Sequence, residues 1–177
     1  MEEILDIFKE DGSWCGTAPR SEVHEKGYWH KTAQVWLLNE EDELLLQLRS
    51  DKKDCFPGVW DISTAGHVPA GTEILLSAVR ELEEELGVRC NEKDLEHLFT
   101  LSEPYIDYIS GRPDNEISFV YLLNVRKDIQ LTLQKEEVSA VRWLHFDKLL
   151  VEFNENRQNF VPHDTHFAKL VDVLRNR

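Results

Sequence analysis

The chain is poor in cysteine, in basic residues and in long apolar runs, and each shortage closes off a class of function. Its three cysteines, Cys15, Cys55 and Cys90, are an odd number, far apart and without a CxxC pair. Neither a disulfide framework nor a zinc knuckle is indicated, and the thiols are expected to stay unlinked. Lys and Arg number 20 against 34 Asp and Glu, a formal net charge of −14. A surface of that sign repels phosphate backbones, so no nucleic-acid polymer is expected as a partner, and an anionic membrane is disfavoured for the same reason. The longest apolar stretches, such as 35–38, are far too short to span a bilayer. The first residues, MEEILDIFKEDG, carry acids where a signal peptide needs bases, and a cytoplasmic location is the expectation. Repeats, low-complexity tracts and linkers are missing as well.

What remains can build a core. Hydrophobic residues make up 41% of the chain and include five Trp, eight Phe and four Tyr, too rich for disorder despite 31% charged residues. A length of 177 fits a single domain over 1–177, in which 1–28 read as an N-terminal hairpin and extension turning at Asp11-Gly12. A second hairpin is predicted from KTAQVWLL (31–38) and ELLLQL (43–48) around the polar turn 39–42. Further strands are expected at 59–64, 96–102, 116–124 and 140–144, with a polar loop over 108–115. Helices are expected at 72–86, 146–153 and 167–174. The fold class is α+β, with a mixed sheet and few helices.

The helix over 72–86 carries the most information. Leu75, Ala78, Val79, Leu82 and Leu86 form its apolar stripe, Thr72 is placed to cap its start, and Gly87 follows its end. Glu81, Glu84 and Glu85 fall within about 100° of arc, beside that stripe, so all three carboxylates can face one point. Arg80 stands four residues before Glu84 and next to Glu81, an ion-pair partner that orients them. An ELEEEL run also suits an ordinary solvated helix face, but neighbouring carboxylates repel one another unless a cation offsets them. A hard divalent ion such as Mg²⁺ or Mn²⁺ matches such ligands, whereas zinc would ask for Cys or His.

Together with the loop before it, this segment reads GHVPAGTEILLSAVRELEEELGV. It resembles the Nudix box, G-x5-E-x7-R-E-U-x-E-E-x-G-U with U aliphatic, over residues 66–88. Gly66, Arg80, Glu81, Leu82, Glu84, Glu85, Gly87 and Val88 match in register, and Thr72 stands where the family has its first Glu. The resemblance implies a Nudix fold, an α/β/α sandwich with a central mixed sheet and a loop-helix catalytic motif. It also implies Mg²⁺ or Mn²⁺ as cofactor. Glu84 and Glu85 would be ligands, Glu81 a ligand or the base orienting water, the Gly66 carbonyl an extra ligand, and Glu81, Glu84 and Arg80 the catalytic set. A homodimer suits the family. The chemistry agrees, because hydrolysing a diphosphate requires charge neutralisation on two phosphates and an activated water. Arg49, Lys52, Lys53 and Trp60 are candidates for substrate binding. Trp29, Tyr105 and Tyr108 are candidates for stacking on a base. Glu136 and Glu137 occupy a position where some Nudix hydrolases place a further carboxylate. Trp36 and Phe119, inside strands, read as core.

A wider stretch is similar to the isopentenyl-diphosphate isomerases, one branch of the same superfamily. The similarity is carried by His30 and Trp36, the segment LLLQLRSDKKDCFPGVWDISTAGHV and Asp114-Asn115-Glu116. It implies a second metal site at His24, His30, His67, Asp114 and Glu116. Ala65, however, stands where the isomerases carry a proton-transferring Cys before the Gly-His pair, and the Arg-Glu and Glu-Glu pairs of the box are intact. The expected function is therefore metal-dependent hydrolysis of a phosphoanhydride in a nucleoside diphosphate derivative or another small organic diphosphate. An isomerase-like enzyme and a non-catalytic nucleotide sensor are the alternatives.

Overall fold

The computed structural model describes residues 2–53, 55–106, 111 and 113–177. Two strands, β1 (Ile4–Phe8) and β2 (Trp14–Pro19), form the first hairpin, and a short helix α1 (Arg20–Lys26) follows it directly. Strands β3 (His30–Leu38) and β4 (Glu43–Arg49) come next. Asn39 closes their turn by accepting the backbone N–H of Glu41 and Glu43 on its side-chain oxygen.

The hairpin partners then part company. β3 and β4 are in register only at Leu38 and Leu44, and beyond that rung they diverge. The gap is filled by one piece of chain that was expected as a single strand over 59–64 and is instead two. β5 (Trp60–Asp61) pairs with β4, and β6 (Thr64–His67) pairs antiparallel with β3. Ser63, at the crossover, accepts the Leu37 N–H at 2.9 Å and donates to the Leu45 carbonyl at 2.6 Å. That buried hydroxyl satisfies a backbone group on each side of the fork.

The rest of the main sheet is assembled around these strands. β8 (Pro113–Asn124) lies parallel to β3, β7 (Glu96–Ile106) lies antiparallel to β8, and β9 (Val138–His145) covers the outer edge of β4. The sheet is mixed, as expected. Its faces follow the period-two alternation of β3. Val35 and Leu37 point into a cluster with Ala78, Leu82 and Leu86 of helix α2 (Ile74–Leu86). Trp36 and Leu38 point into the opposite cluster, under α3 (Phe146–Glu155) and α4 (Asp164–Arg175). Helices on both faces give three layers and explain why β3 is apolar on both sides. Trp36 is fully buried and donates its indole N–H to His166 Nε2 at 2.9 Å. Phe119 packs partly buried against the α2 cluster.

Several element ends differ from expectation, three of them near the cavity or the expected loop. Helix α2 starts at Ile74 with Glu73 at its N-cap and no side-chain cap, and Thr72 belongs instead to the turn before it, its N–H bound to the Pro69 carbonyl. β7 runs on past 102, and β8 begins at Pro113, inside the segment expected to be loop. Tyr108 lies outside the described residues. No helix among the described residues is long and apolar enough to cross a membrane.

Candidate active site

A cavity of about 720 Å³ opens where β3 and β8, which bring residues of one sheet face to its floor, meet β6, α1 and α2. On β3 the residues of the Trp36 face, counted back toward its start, are Gln34, Thr32 and His30, so the stripe changes from core to polar within three positions. Glu116 and Ser118 stand beside them on β8. Glu116 Oε2 accepts from Thr32 Oγ1 at 3.1 Å, Ser118 Oγ at 3.2 Å and Gln34 Nε2 at 3.4 Å. Burial, and then the neighbouring Asp114, push the Glu116 carboxyl up to about 8.

His24 from α1, His30 from β3 and His67 from β6 converge above this floor, with ring centroids 5.1–5.3 Å apart. His24 Nε2 and His67 Nε2 are 3.2 Å apart, and His24 Nε2 and His30 Nε2 each lie 3.6 Å from Asp114 Oδ1. His30 Nδ1 lies 3.1 Å from the Tyr28 carbonyl. A carbonyl only accepts, so that nitrogen carries the proton and Nε2 presents a lone pair. Yet His30 Nε2 and Asp114 Oδ1 are both buried with no hydrogen-bond partner. Two orphaned acceptors facing each other are costly unless a cation lies between them. Burial, followed by His30, Arg20 and His24, holds the His67 ring well below its usual range, neutral and able to ligate. Among the described residues, triplets of ligand atoms within 4.8 Å of one another occur at His24, His30 and His67 and at His30, Asp114 and Glu116. The donor set suits a divalent cation.

The helix carboxylates border the same cavity, each in a different setting. Glu85 is buried, accepting from Thr64 Oγ1 at 2.6 Å and Gln47 Nε2 at 3.3 Å, and burial raises its carboxyl to about 7. Glu81 lies against Gly66, whose missing side chain makes the room, and accepts from Arg80 Nη2 at 2.8 Å. Burial raises Glu81 despite that partner. Arg80 also reaches the His67 carbonyl at 3.4 Å. Glu84 is exposed, 3.9 Å from Arg80 Nε, and leans toward the opening. Glu81 and Glu85 are thus held before any ligand arrives.

The residues of the basic loop already have partners within the protein. Arg49 borders the cavity but is clamped to Asp61 and to the carbonyls of Cys55 and Phe56. Lys53 pairs with Glu137 at the cavity edge, while Lys52 and Glu136 form an exposed pair at 3.9 Å outside it. Trp60 sits under the Arg142 guanidinium, 4.3 Å from ring centroid to Cζ, away from the cavity lining. Trp29 borders a separate shallow pocket with Glu10 and Asn115, and Tyr105 lies in β7.

Arg20 escaped the sequence reading. It begins α1 four residues before His24, a spacing that puts both on one side of the helix. Its Nε approaches His67 Nδ1 at 3.4 Å, and it makes no ion pair within 4.0 Å among the described residues. Asp61 and His163 were also missed. They are hydrogen-bonded across 102 positions of sequence, which no local pattern announces.

Comparison with known proteins identifies the family and the fold. The NUDIX domain family matches residues 29–164. The chain is similar to Nudix hydrolase 3 of Arabidopsis thaliana, 42% identical over 183 residues, which covers 99% of this chain but 24% of that protein. It therefore spans about a quarter of that relative's length. A Nudix hydrolase of Clostridium acetobutylicum is 36% identical over 160 residues, covering 88% of this chain and 76% of the relative. An isopentenyl-diphosphate Delta-isomerase of Ruegeria pomeroyi is 32% identical over 141 residues, covering 80% and 76%. Among solved structures, DR0079 from Deinococcus radiodurans superposes with a TM-score of 0.70 at 22% identity, over 86% of this chain and 90% of that one. The box on α2, the three-layer fold and these matches lead to one statement: the chain belongs to the NUDIX domain family, with relatives named both as Nudix hydrolases and as isopentenyl-diphosphate isomerases.

Proposed function

We propose that the protein is a metal-dependent hydrolase that cleaves the phosphoanhydride of a nucleoside diphosphate derivative or another small organic diphosphate. The observation that carries this reading is the meeting, in one cavity, of the α2 carboxylates with a histidine-acid cluster whose His30 Nε2 and Asp114 Oδ1 are buried and unpartnered. Glu81, Glu84 and Glu85, with the Gly66 carbonyl, would hold Mg²⁺ or Mn²⁺ on one wall. His24, His30, His67, Asp114 and Glu116 would hold a second ion. When bound, such ions neutralise phosphate charge and lower the pKa of a coordinated water.

The chain's own residues supply the rest. Arg80 fixes Glu81 by a 2.8 Å hydrogen bond and spans to the His67 carbonyl, tying the helix wall to the histidine wall. Thr64 and Gln47 fix Glu85 in one orientation. Arg20 faces the cavity with no carboxylate partner within 4.0 Å among the described residues, and meets a phosphate oxygen. Glu137, paired with Lys53, stands ready to accept a proton from water at the opposite edge.

Phosphate release from a panel of organic diphosphates tests the reading. Glu84→Gln and Glu85→Gln should each abolish it, and unchanged turnover in both would reject the assigned site.

One observation favours the isomerase alternative: Cys55 borders the cavity together with Ala65. Deuterium incorporation into isopentenyl diphosphate decides, and none is expected. The sensor alternative would show nucleotide binding by calorimetry with no product at any metal concentration.

A further inference from the structure

Among the described residues three cations line the cavity, and two of them, Lys53 and Arg49, are each paired with a carboxylate. The Arg49 pair is built differently from a surface ion pair. Asp61 is only 2% exposed. Its Oδ2 accepts from Arg49 Nη1 at 2.8 Å, and its Oδ1 accepts from the Ile62 N–H at 2.8 Å and from His163 Nε2 at 2.9 Å. Arg49 in turn donates from Nε to the Phe56 carbonyl at 3.0 Å and from Nη2 to the Cys55 carbonyl at 2.9 Å.

Those two carbonyls belong to a strained stretch. Phe56 has a φ of +48°, in the left-handed region that bulky residues avoid. Such a conformation persists where the surroundings fix it, and it is found disproportionately beside ligands. Here the guanidinium holds the carbonyls on both sides of the Phe56 N–H. Phe56 forms a small apolar cluster with Val59 and Val161, and Cys55 packs against it. The Val161 N–H is bound to the Trp60 carbonyl at 3.0 Å, so the second side of this patch hangs on β5, next to Asp61. Cys55, Phe56, Val161 and His163 all border the cavity. This part of the wall presents Cys55, Phe56 and Val161 beside one imidazole, and the Arg49 charge that borders it is neutralised by Asp61.

We infer that Arg49 and Asp61 are positioning residues that fix Phe56, Val161 and His163 as the wall receiving the uncharged organic group of the substrate. The phosphates then lie toward Arg20 and the metal-binding carboxylates. Arg49 serves as the clamp of a specificity surface, not as a phosphate ligand. This rests on the diphosphate-hydrolase reading for what occupies the other end.

The test uses the full chain carrying Cys15→Ser and Cys90→Ser, which leaves Cys55 as its one thiol. Alkylation of Cys55 by N-ethylmaleimide is followed by mass spectrometry in Mg²⁺, with isopentenyl diphosphate, ADP-ribose or inorganic tripolyphosphate added. At least one organic compound should slow the reaction about tenfold or more, and tripolyphosphate, which has no organic group, less than about twofold. Phe56→Gly accepts the positive φ without strain and removes the ring, so protection should be lost. Arg49→Lys keeps the charge but cannot hold two carbonyls and a carboxylate at once. It should raise KM for the protecting compound about tenfold with kcat nearly unchanged. Equal protection by tripolyphosphate, no protection by either organic compound, protection that survives Phe56→Gly, or a KM unmoved by Arg49→Lys would each overturn the assignment. Selective protection without phosphate release from any compound would leave the wall standing and reject the hydrolase reading alone.

Discussion

Gly66→Ala isolates the function of Glu81 without touching it. Gly66 lies in β6 opposite Ala33, with no positive φ, so alanine fits its backbone. A methyl group there would sit 2.1 Å from Glu81 Cδ, 2.4 Å from Oε1 and 2.5 Å from Cγ. Ordinary contact starts at 3.4 Å, so the carboxyl carbon must retreat by about 1.3 Å. All three clashing atoms belong to one long side chain, which can rotate while the backbone stays. The stability cost is then about 1 kcal/mol or less, and the melting temperature should move by no more than about 4 °C. The rotation breaks the 2.8 Å bond from Arg80 and takes the carboxylate off its mark. A misplacement of about 1 Å at a reacting centre costs roughly 10²-fold in rate, or about 2.7 kcal/mol. Steady-state phosphate release is measured for Gly66→Ala, Glu81→Gln and the double variant, with a thermal melt of each. The double variant should be no slower than Glu81→Gln, because both changes disable one group. Multiplying effects, or a Gly66→Ala protein that keeps over half its activity, would show that the space at Gly66 does not serve catalysis through Glu81.

Three further outcomes are expected. Burial holds His166 well below its usual range, neutral under the Trp36 N–H, whereas the unfolded chain takes up that proton below about pH 6.5. Stability from this group is therefore complete above that pH and lost as pH falls, by up to about 1.4 kcal/mol per pH unit. Urea titrations between pH 7.5 and 5 should show a shallower fall for His166→Gln than for the wild type, and equal slopes refute the assignment. Arg20→Ala should raise KM for the cleaved diphosphate at least about tenfold with an unchanged melt, as befits loss of a charged hydrogen bond from the cavity edge. Mn²⁺ titration followed by electron paramagnetic resonance should lose one bound ion in Asp114→Asn relative to wild type. An unchanged count would remove the histidine-acid cluster from the metal assignment.

The box was legible because its spacing is rigid: an intact Arg-Glu and Glu-Glu pattern on a helix with Gly87 at its end leaves little freedom. The β3–β4 hairpin was legible from the contrast between two β-rich runs and the polar turn around Asn39. The fork beyond that hairpin was not. Whether 59–64 is one strand or two depends on Ser63 bonding to Leu37 and Leu45, which are 26 and 18 residues away. Helix α1 was invisible because Pro19 at its N-cap offers no side-chain cap and the helix is seven residues long. With it went Arg20. The fate of Arg49 was hidden for a related reason. A basic residue in a polar loop looks like a phosphate ligand until its partner Asp61, twelve positions on, is seen to be buried.

The parting of β3 and β4 has a bearing on how such a site can change. The proposed metal wall hangs on β3, β6 and β8 through His30, His67 and Glu116, whereas the Arg49–Asp61 wall hangs on β4 and β5. β3 and β4 share a single rung of backbone pairing at Leu38 and Leu44, and the two walls are otherwise joined at the Ser63 crossover and through Glu85, which both Thr64 and Gln47 hold. Substitutions that reshape the Phe56–Val161 side of one wall, away from Ser63 and Glu85, need not strain the other. A lineage could therefore exchange one leaving group for another by small steps while its hydrolytic apparatus stays intact.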